Sequence, residues 1–405
     1  IQEPISLAIT KQAERSSNFV TWINKTEAPR GTFARQALTI AWDFIELVPI
    51  VDSEEFPELV EAISSVARNV SEASLSSANV QQADASDVPL PDDSGDVWFT
   101  DPPYYDSIPY ADLSDLFYCW LKRLIPEHRI NSFHASCKDG LTPKVQESTW
   151  NRAHLVDRLP KTPQFFEKSV AISFAEGRRI LASNGIGCVV FAHKTTEGWE
   201  ALLSGLHQSK WIVTASWPIA TERSGKLGGK EKAMLMTSVH LICRPRAQDA
   251  GIGDWTNVYN EMKDKVANWM ERLAEEGVRG ADLVFACIGP ALEVYSRYDK
   301  VVDANDREIP LGGDPLAAEP YQRGYLSYIW EVVGRTALEQ VLGTAEARAR
   351  NGAAGVLEED ARLTALFLWT LMSSTAENGN GKKVEEEEKD EEEEEEKSAK
   401  KKAGY

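Results

Sequence analysis

The chain has 405 residues, of which 42% are hydrophobic and 26% charged, a composition that excludes a wholly disordered protein. Its length is enough for two or three domains. No run approaches the ~18 consecutive apolar residues of a membrane span. The net charge is −19, with −4 in residues 381–405 and therefore −15 in the other 380. Because phosphate contacts dominate affinity for nucleic acids, binding to them would need a local basic patch on this acidic body.

The cysteines and the N-terminus indicate the compartment. None of the five cysteines forms a CxxC pair, so the sequence predicts neither a zinc site nor a disulfide framework. The N-terminus has no basic region followed by an apolar run, so no signal peptide is predicted. It also lacks an initiator Met, as expected of a processed chain or of a piece of a longer one. We expect a reducing, cytoplasmic location.

Helical patterns dominate the first part of the chain, and residues 1–75 are expected to form a helical N-terminal region. Apolar residues at helical spacing predict a helix over 56–74. The apolar run over 97–99 predicts a short buried strand. This strand stops abruptly at an Asp-Pro-Pro sequence, which predicts a rigid loop.

Helices and strands then alternate as far as Cys243. The first predicted element is a helix from 163 that ends at a left-handed cap formed by Asn184 and Gly185. It is followed by a strand over 187–192, a helix over 197–208, a strand over 211–216, a loop over 223–232 and a strand over 235–243. This order favours an α/β sheet with parallel pairing. Residues 76–250 are therefore expected to form an α/β core.

The last part of the chain has few strand signals. Helices are predicted over 255–276, 322–344 and 357–372, which makes 251–375 a mostly helical extension. Residues 376–405 contain long runs of acids followed by lysines and predict a disordered tail. A solvated tail is the simplest interpretation of these runs, and an interaction tail is the alternative.

The sharpest chemical feature is the DPPY segment, residues 101–104, directly after the predicted strand. Two prolines stiffen the backbone and remove two N–H donors, and the residue before each proline is pushed towards an extended conformation. The segment offers a carboxylate, unpaired carbonyls and an aromatic ring at the end of a strand, where open α/β sheets bind ligands. The Asp101 carboxylate and the Pro102 carbonyl suit the two hydrogens of an exocyclic amino group, and Tyr104 suits stacking on a planar base.

With these residues the sequence resembles the amino-methyltransferases that use S-adenosylmethionine, whose motif is [DNS]-P-P-[YFW]. An aspartate in the first position is typical of their adenine-N6 branch. The chain is similar, more narrowly, to the large prokaryotic adenine-specific DNA methylases often encoded beside phage-defence genes. The matching segments are TDPPYYDSIPYADLSDLFYCWLKR (100–123), FARQALTIAWDF (33–44), VVFAHKTTEGWEALL (189–203) and ACIGPALEVYSRY (286–298).

The resemblance implies a fold and a set of site residues. The fold would be a Rossmann-like methyltransferase sheet, complete or incomplete, with a mostly helical C-terminal extension. Asp101, Pro102, Pro103 and Tyr104 would be catalytic. The residues that would bind the cofactor S-adenosylmethionine are Asp84, Ala85 and Thr100.

One part of the family pattern is missing. The FxGxG loop that binds the cofactor should precede the DPPY segment, and no such sequence occurs in residues 1–100. Either the chain is the C-terminal part of a split or truncated enzyme, which would need the N-terminal portion or a partner subunit, or its cofactor site is incomplete.

Basic residues near the end of the α/β region are candidates for contact with DNA phosphates. The loop over 223–232 contains four bases and one acid, and a mobile solvated loop is the alternative interpretation. Its bases are Arg223, Lys226, Lys230 and Lys232. Lys122 and Arg123 form a weaker patch. His193 and Lys194 follow a predicted strand and would line a cleft, although a structural histidine explains His193 equally well.

Three functions are compatible with these features. The first is adenine-N6 methylation of DNA, with the target base flipped out of the duplex into the DPPY pocket. The second is a non-catalytic DNA-binding or assembly subunit that retains a degenerate methyltransferase fold. The third keeps the chemistry and changes the substrate to an RNA base.

Overall fold

A computed structural model describes thirteen stretches of the chain. They are residues 2–23, 27–33, 55–73, 76, 78–81, 83–106, 108–125, 140–151, 153–156, 159–193, 196–220, 237–276 and 286–342. The chain divides into two compact units. One comprises Ile1–Ala83 and Pro103–Phe166, and the other Asp84–Pro102 and Glu167–Tyr405. The main chain therefore passes from the second unit into the first within the DPPY segment.

The secondary structure of the described residues is mixed. The helices are α1 (Gln2–Arg15), α2 (Glu55–Glu72), α3 (Tyr110–Leu124), α4 (Pro163–Ile180), α5 (Thr196–Gln208), α6 (Trp255–Glu275), α7 (Ile288–Ser296), α8 (Pro320–Arg323) and α9 (Tyr325–Leu342). The strands are β1 (Trp22–Ile23), β2 (Ala28–Pro29), β3 (Gly95–Thr100), β4 (Leu155–Val156), β5 (Leu159–Pro160), β6 (Leu181–Phe191), β7 (Trp211–Ala220), β8 (Thr237–Pro245), β9 (Ile252–Asp254) and β10 (Lys300–Val302).

The first unit is mainly helical. Helix α1 packs against both α2 and α3, and two short antiparallel ladders, β1 with β2 and β4 with β5, complete the described part. In α2 the apolar positions recur at helical spacing, which is why the helix expected over 56–74 forms at Glu55–Glu72. Within the described residues of both units, no helix has the length and apolar character needed to cross a membrane.

The second unit is built on a four-stranded sheet with the order β3-β6-β8-β7. Strand β3 pairs parallel with β6, whereas β8 is antiparallel to both of its neighbours. Strands β3, β6 and β7 therefore run in one direction, and their carboxyl ends meet at one edge of the sheet. The predicted α/β class is confirmed, and the sheet is mixed rather than purely parallel.

One face of this sheet is closed by two stacked indoles. Trp98 of β3 stacks on Trp211 of β7 with ring centroids 5.0 Å apart, and it meets Phe174 of α4 edge-on at 5.6 Å. Glycines leave the room for these rings. A Cβ at Gly177 of α4 would overlap the Trp98 indole, and a Cβ at Gly187 of β6 would lie 2.7 Å from the Trp211 ring. This packing fixes β3, and with it the position of the residue that follows the strand.

Two helices, α6 and α7, contact strand β7. Gly289 of α7 donates its backbone N–H to the hydroxyl of Ser216 in β7 at 3.0 Å, and that hydroxyl donates to the carbonyl of Ala286. Trp217 of β7 meets Trp269 of α6 with ring centroids 5.5 Å apart. Helix α6 thus covers the face opposite Trp98 at Trp217, whereas the bond from α7 reaches the neighbouring residue Ser216, whose side chain lies on the other face because side chains alternate along a strand.

Several predicted elements are confirmed with shifted ends, and one is wrong. The helix expected over 197–208 is α5, and the helix expected over 255–276 is α6. The strand expected over 97–99 is β3, but it is not buried as expected: its side chains alternate between the two faces of the sheet, and Val97 and Phe99 are exposed on the face that no described element covers at this end. The left-handed helix cap expected at Asn184 and Gly185 does not form, because both residues lie inside β6. Arg244 of β8 donates from Nη1 to their carbonyls, at 2.8 and 3.0 Å, which holds them in the sheet.

The predicted helical extension also contains unpredicted structure. Strands β9 and β10 form a parallel pair within 251–375, and α7 is a further helix there. The predicted helix over 357–372 and the tail from 376 lie outside the described residues, and the domain boundaries drawn from the sequence stay predictions.

Replacing Gly177 by alanine tests the packing of the sheet. We expect Gly177→Ala to lower the free energy of unfolding by about 1–3 kcal/mol, because the new methyl group forces the rigid Trp98 indole aside. Urea denaturation measures the change.

The matched control is Gly334→Ala in α9, where an added Cβ would meet nothing within 4 Å. This substitution should raise the stability by about 0.5–1 kcal/mol through helix propensity. Equal effects of the two variants would contradict the packing described for Trp98.

Candidate functional site

Asp101 stands at the carboxyl edge of the sheet. Thr100 ends β3 and is paired with Val189 of β6, so the carboxylate of the next residue leaves the sheet where open α/β sheets bind ligands. Asp101 is exposed. With respect to the residues that the structure describes, its carboxylate has no hydrogen bond or ion pair. The strand therefore presents a free, charged acceptor.

The two prolines and a left-handed turn shape the segment that follows. Pro102 and Pro103 carry no N–H, so neither can pair its backbone nitrogen. Tyr105 has φ of 51°, and its N–H donates to the carbonyl of Pro103 at 3.0 Å. A positive φ is uncommon for a bulky residue and needs surrounding contacts to persist. The turn places the half-buried Tyr104 between the prolines and this constrained residue.

Those contacts come from an aromatic cluster in the first unit. The Tyr105 ring is buried, meets Phe166 edge-on with centroids 5.1 Å apart, and lies tilted against Trp150 at 5.3 Å. The backbone N–H of Trp150 donates to the carbonyl of Tyr105 at 3.0 Å. The residue after the DPPY segment is thus fixed through both its ring and its backbone.

The stretch over 140–151 is in turn tied to the start of α3. Glu147 accepts a hydrogen bond from the N–H of Ala111 at 2.9 Å, a favourable place for a carboxylate at a helix N-terminus. Asp115 of α3 accepts from the N–H of Thr142 at 2.7 Å and pairs with Lys144 at 2.6 Å. These bonds hold together the two segments of the first unit that flank the Tyr105 cluster.

Lys161 is a buried cation close to this cluster in sequence. Its Nζ donates to the carbonyls of Lys144 and Glu147 and lies 4.9 Å from the ring centre of Phe165. Burial lowers the pKa of this ammonium, and the nearby carboxylates of Glu147 and Asp112 act in the opposite direction. Because its ammonium already donates to two backbone carbonyls, Lys161 has a structural role: it holds this loop together.

The predicted cofactor residues lie at the end of β3 and in a turn before it. Thr100 is at the strand end, whereas Asp84 and Ala85 lie in a turn eleven and ten residues before Gly95. The Asp84 carboxylate accepts both the hydroxyl of Ser86, at 2.6 Å, and its N–H, at 2.9 Å. Both bonds lower the pKa of Asp84, and the bond from the Ser86 hydroxyl has the larger effect.

The stretch that follows this turn is anchored at the start of β6. Arg179, two residues before the strand, donates to the carbonyls of Val88 and Leu90 at 2.9 Å each. Glu176 accepts the N–H of Val88 at 2.9 Å. Residues 88–90 therefore approach β3 from the amino edge of the sheet, and the cofactor roles of Asp84 and Ala85 stay predictions.

The basic candidates divide into two groups. The four loop bases, Arg223, Lys226, Lys230 and Lys232, lie outside the described residues, between the end of β7 and the start of β8. Lys122 and Arg123 lie in the last turn of α3, where each donates to a backbone carbonyl, of Gly140 and Cys119 respectively. Their role in phosphate contact stays a prediction.

His193 lies just beyond the carboxyl end of β6 and is buried. Its ring stacks near Phe191, with centroids 6.1 Å apart, and a Cβ at Gly198 would overlap it. Trp199 donates its indole N–H to the His193 carbonyl at 3.0 Å. These contacts pack the histidine against the start of α5, which fits the structural alternative. Lys194 lies outside the described residues.

A cavity of about 560 Å³ lies in the helical unit, between α1 and α3. Its lining is mostly apolar and consists of Ile9, Gln12, Ala13, Ser16, Ser17, Phe56, Leu116 and Trp120. None of the residues that the sequence singles out for chemistry lines it.

In comparisons with known proteins, no family model, no curated protein and no solved structure matches the chain. In the part of the chain that the structure describes, no group of three or more His, Cys, Asp or Glu side chains could hold a metal ion. The described cysteines, Cys119, Cys188, Cys243 and Cys287, are free thiols.

Removing the Tyr105 ring tests the anchor of the DPPY segment. We expect Tyr105→Ala to lower the free energy of unfolding by about 3–5 kcal/mol, because a buried aromatic ring leaves a cavity between Trp150 and Phe166. Denaturant titration followed by tryptophan fluorescence measures the change.

The control is Trp22→Ala, which removes an aromatic ring that is 46% exposed in the same unit. It should cost under about 1 kcal/mol. A Tyr105→Ala protein as stable as this control would show that the ring does not anchor the segment.

Proposed function

We propose that the chain is a methyltransferase that uses S-adenosylmethionine to methylate the N6 amino group of adenine in DNA, on a Rossmann-like sheet. The observation that carries the proposal is the free carboxylate of Asp101 at the carboxyl edge of the sheet, followed by two prolines and an aromatic residue. The expected cellular location is the cytoplasm.

The acceptors suit an amino group. An exocyclic amine has two N–H bonds, and the Asp101 carboxylate and the Pro102 carbonyl would accept one each. Both acceptors are available: among the described residues, none donates a hydrogen bond to the Asp101 carboxylate or to the Pro102 carbonyl. Accepting both hydrogens turns the nitrogen lone pair out of conjugation with the ring and directs it at an electrophile.

The aromatic residue suits the base itself. Tyr104 is half-buried, and its neighbour Tyr105 is fixed by packing and by a backbone bond. A tyrosine whose backbone is constrained on one side by a fixed neighbour and on the other by two prolines loses less conformational entropy when it stacks on a planar base. A base inside a duplex could not reach it, so the adenine would have to be flipped out, at a cost of a few kcal/mol.

The chemistry needs little beyond alignment. S-Adenosylmethionine supplies an electrophilic methyl group on a positively charged sulfur. The chain's own contribution would be to hold the amino nitrogen in line with that methyl group, with Asp101 accepting one amino hydrogen and able to take up the proton that the nitrogen loses. Orientation and the placement of negative charge account for the rate in this scheme.

The residues of the chain fit one half of such a site. Asp101 and Tyr104 suit the amino group and its base, and Thr100, Asp84 and Ala85 are candidates to hold the cofactor. The glycine loop expected for its methionyl part is absent from residues 1–100.

That absence favours a second candidate function. Together with a net charge of −15 outside the last 25 residues, it favours a non-catalytic subunit that contributes DNA contacts or an assembly surface to a partner. The affinity of the isolated chain for the cofactor separates the two functions.

The role of Asp101 is tested by substitution. We expect Asp101→Ala to lower the rate of methyl transfer to adenine-containing duplex DNA by at least about 100-fold, because the aligned acceptor is lost. Asp101→Asn keeps one oxygen acceptor and should be less impaired. Transfer of a tritiated methyl group measures both, and circular dichroism checks that the variants are folded.

Asp264→Ala is the matched control, since this exposed aspartate lies in α6, away from the strand end. Near-normal turnover by Asp101→Ala would refute the proposed role. Unlabelled RNA as a competitor tests the substrate class: RNA that is methylated in preference to DNA would move the proposal to an RNA base.

A further inference from the structure

Strand β3 has an open side. In the order β3-β6-β8-β7 it stands at the end of the sheet, so among the described strands only β6 is hydrogen-bonded to it. Strands that pair in parallel are normally buried on both faces and paired on both sides. An open strand of this kind presents a row of backbone N–H and C=O groups to any extended segment that can reach it.

The same strand is apolar on a face that is not covered. Two side chains of this six-residue strand, Val97 and Phe99, are 65% and 62% exposed. Both lie on the face opposite Trp98, because side chains alternate along a strand. Exposed apolar side chains on an unpaired edge strand are a surface that an added strand can cover while it pairs with the backbone.

The exposed face of β3 is continuous with a face of the sheet that is covered at β7. Phe99 lies near His240 of β8, with ring centroids 6.2 Å apart, and His240 is paired with Trp217 of β7. At Trp217 the face is closed by Trp269 of α6. The same face is thus covered at one end of the sheet and exposed to water at the β3 end.

The charge around β3 indicates the chemistry of the occupant. The described residues of 84–102 include six aspartates and no lysine, arginine or histidine. They are Asp84, Asp87, Asp92, Asp93, Asp96 and Asp101. Only Asp92 has an ion pair given by the structure, with Arg179. A second copy of β3 would bring the same aspartates to the edge and be repelled, whereas a basic segment would be attracted.

We infer that the open edge of β3 binds a β-strand of another polypeptide, one that alternates apolar and basic residues. Its backbone pairs with β3, its apolar side chains cover Val97 and Phe99, and its basic side chains face the aspartates of 84–102. The added strand would lie directly beside the strand that carries Asp101. This inference does not rest on the proposed function, because none of its observations concerns methyl transfer.

Synthetic peptides test the inference on the full chain. The probe is a fluorescein-labelled ten-residue peptide of alternating lysine and valine. Two matched peptides replace every lysine by glutamate, or N-methylate alternate residues to block pairing between strands. Fluorescence anisotropy gives the affinity, and hydrogen–deuterium exchange gives the location.

We expect the basic peptide to bind in a salt-dependent manner, to slow exchange over residues 95–100, and to outcompete both matched peptides. The double variant Val97→Ser/Phe99→Ser should weaken binding at least about tenfold, because two apolar side chains lose their cover. Since both side chains are exposed, the variant should fold, and unchanged exchange over 186–191 would confirm it.

The control variant is Leu316→Ser, which removes an apolar side chain that is 84% exposed elsewhere in the unit. Three results would overturn the inference: equal binding to the double variant and to this control, protection outside 95–100, or equal binding of the N-methylated peptide. Dimerisation of the chain through β3 would overturn it as well, because the occupant would then be a second copy.

Discussion

The position of Asp101 depends on the packing of one indole, that of Trp98. The ring fits between Trp211, Phe174 and the bare backbone of Gly177, and this fixes β3 against the remaining strands. Aromatic pairs in offset or edge-on contact contribute about 0.5–1.5 kcal/mol beyond the area they bury. Only two residues separate Trp98 from Asp101, so the contact that fixes the indole also fixes the position of the carboxylate. An exposed acceptor at a strand end is useful for chemistry only if the strand itself cannot move.

The residues before and after the DPPY segment are each anchored within their own compact unit. On one side β3 is fixed by its indole, and on the other side the ring and backbone of Tyr105 are fixed by Trp150 and Phe166. Between these two anchors the prolines leave few backbone torsions free. In contrast to these anchored residues, one face of β3 is exposed. Val97 and Phe99 belong to the same strand as the half-buried, stacked Trp98, so one strand combines a packed inner face with an outer face open to a partner.

The sequence predicted the elements whose signal is local. Helices such as α5 and α6 have an apolar stripe of helical period, and β3 is an apolar run that ends at two prolines, so each was placed within a few residues. The helix cap at Asn184 and Gly185 failed because the preference of these residues for turns was overridden by a distant guanidinium, that of Arg244. The role of Tyr105 was missed for a similar reason: its partners lie far along the chain, and the only local signal was the doubled tyrosine after the prolines. The open side of β3 depends on the order of the strands, which no local pattern contains.

The most direct test of the central claim is calorimetric titration of the isolated, folded chain with S-adenosylmethionine, with and without adenine-containing duplex DNA. If the chain is a methyltransferase, the account predicts micromolar binding of the cofactor, about −8 kcal/mol, in spite of the missing glycine loop. No detectable heat from a chain shown by circular dichroism to be folded, in the presence and in the absence of DNA, would contradict it. The chain would then be the base-binding half of a larger enzyme or a subunit without catalytic activity of its own.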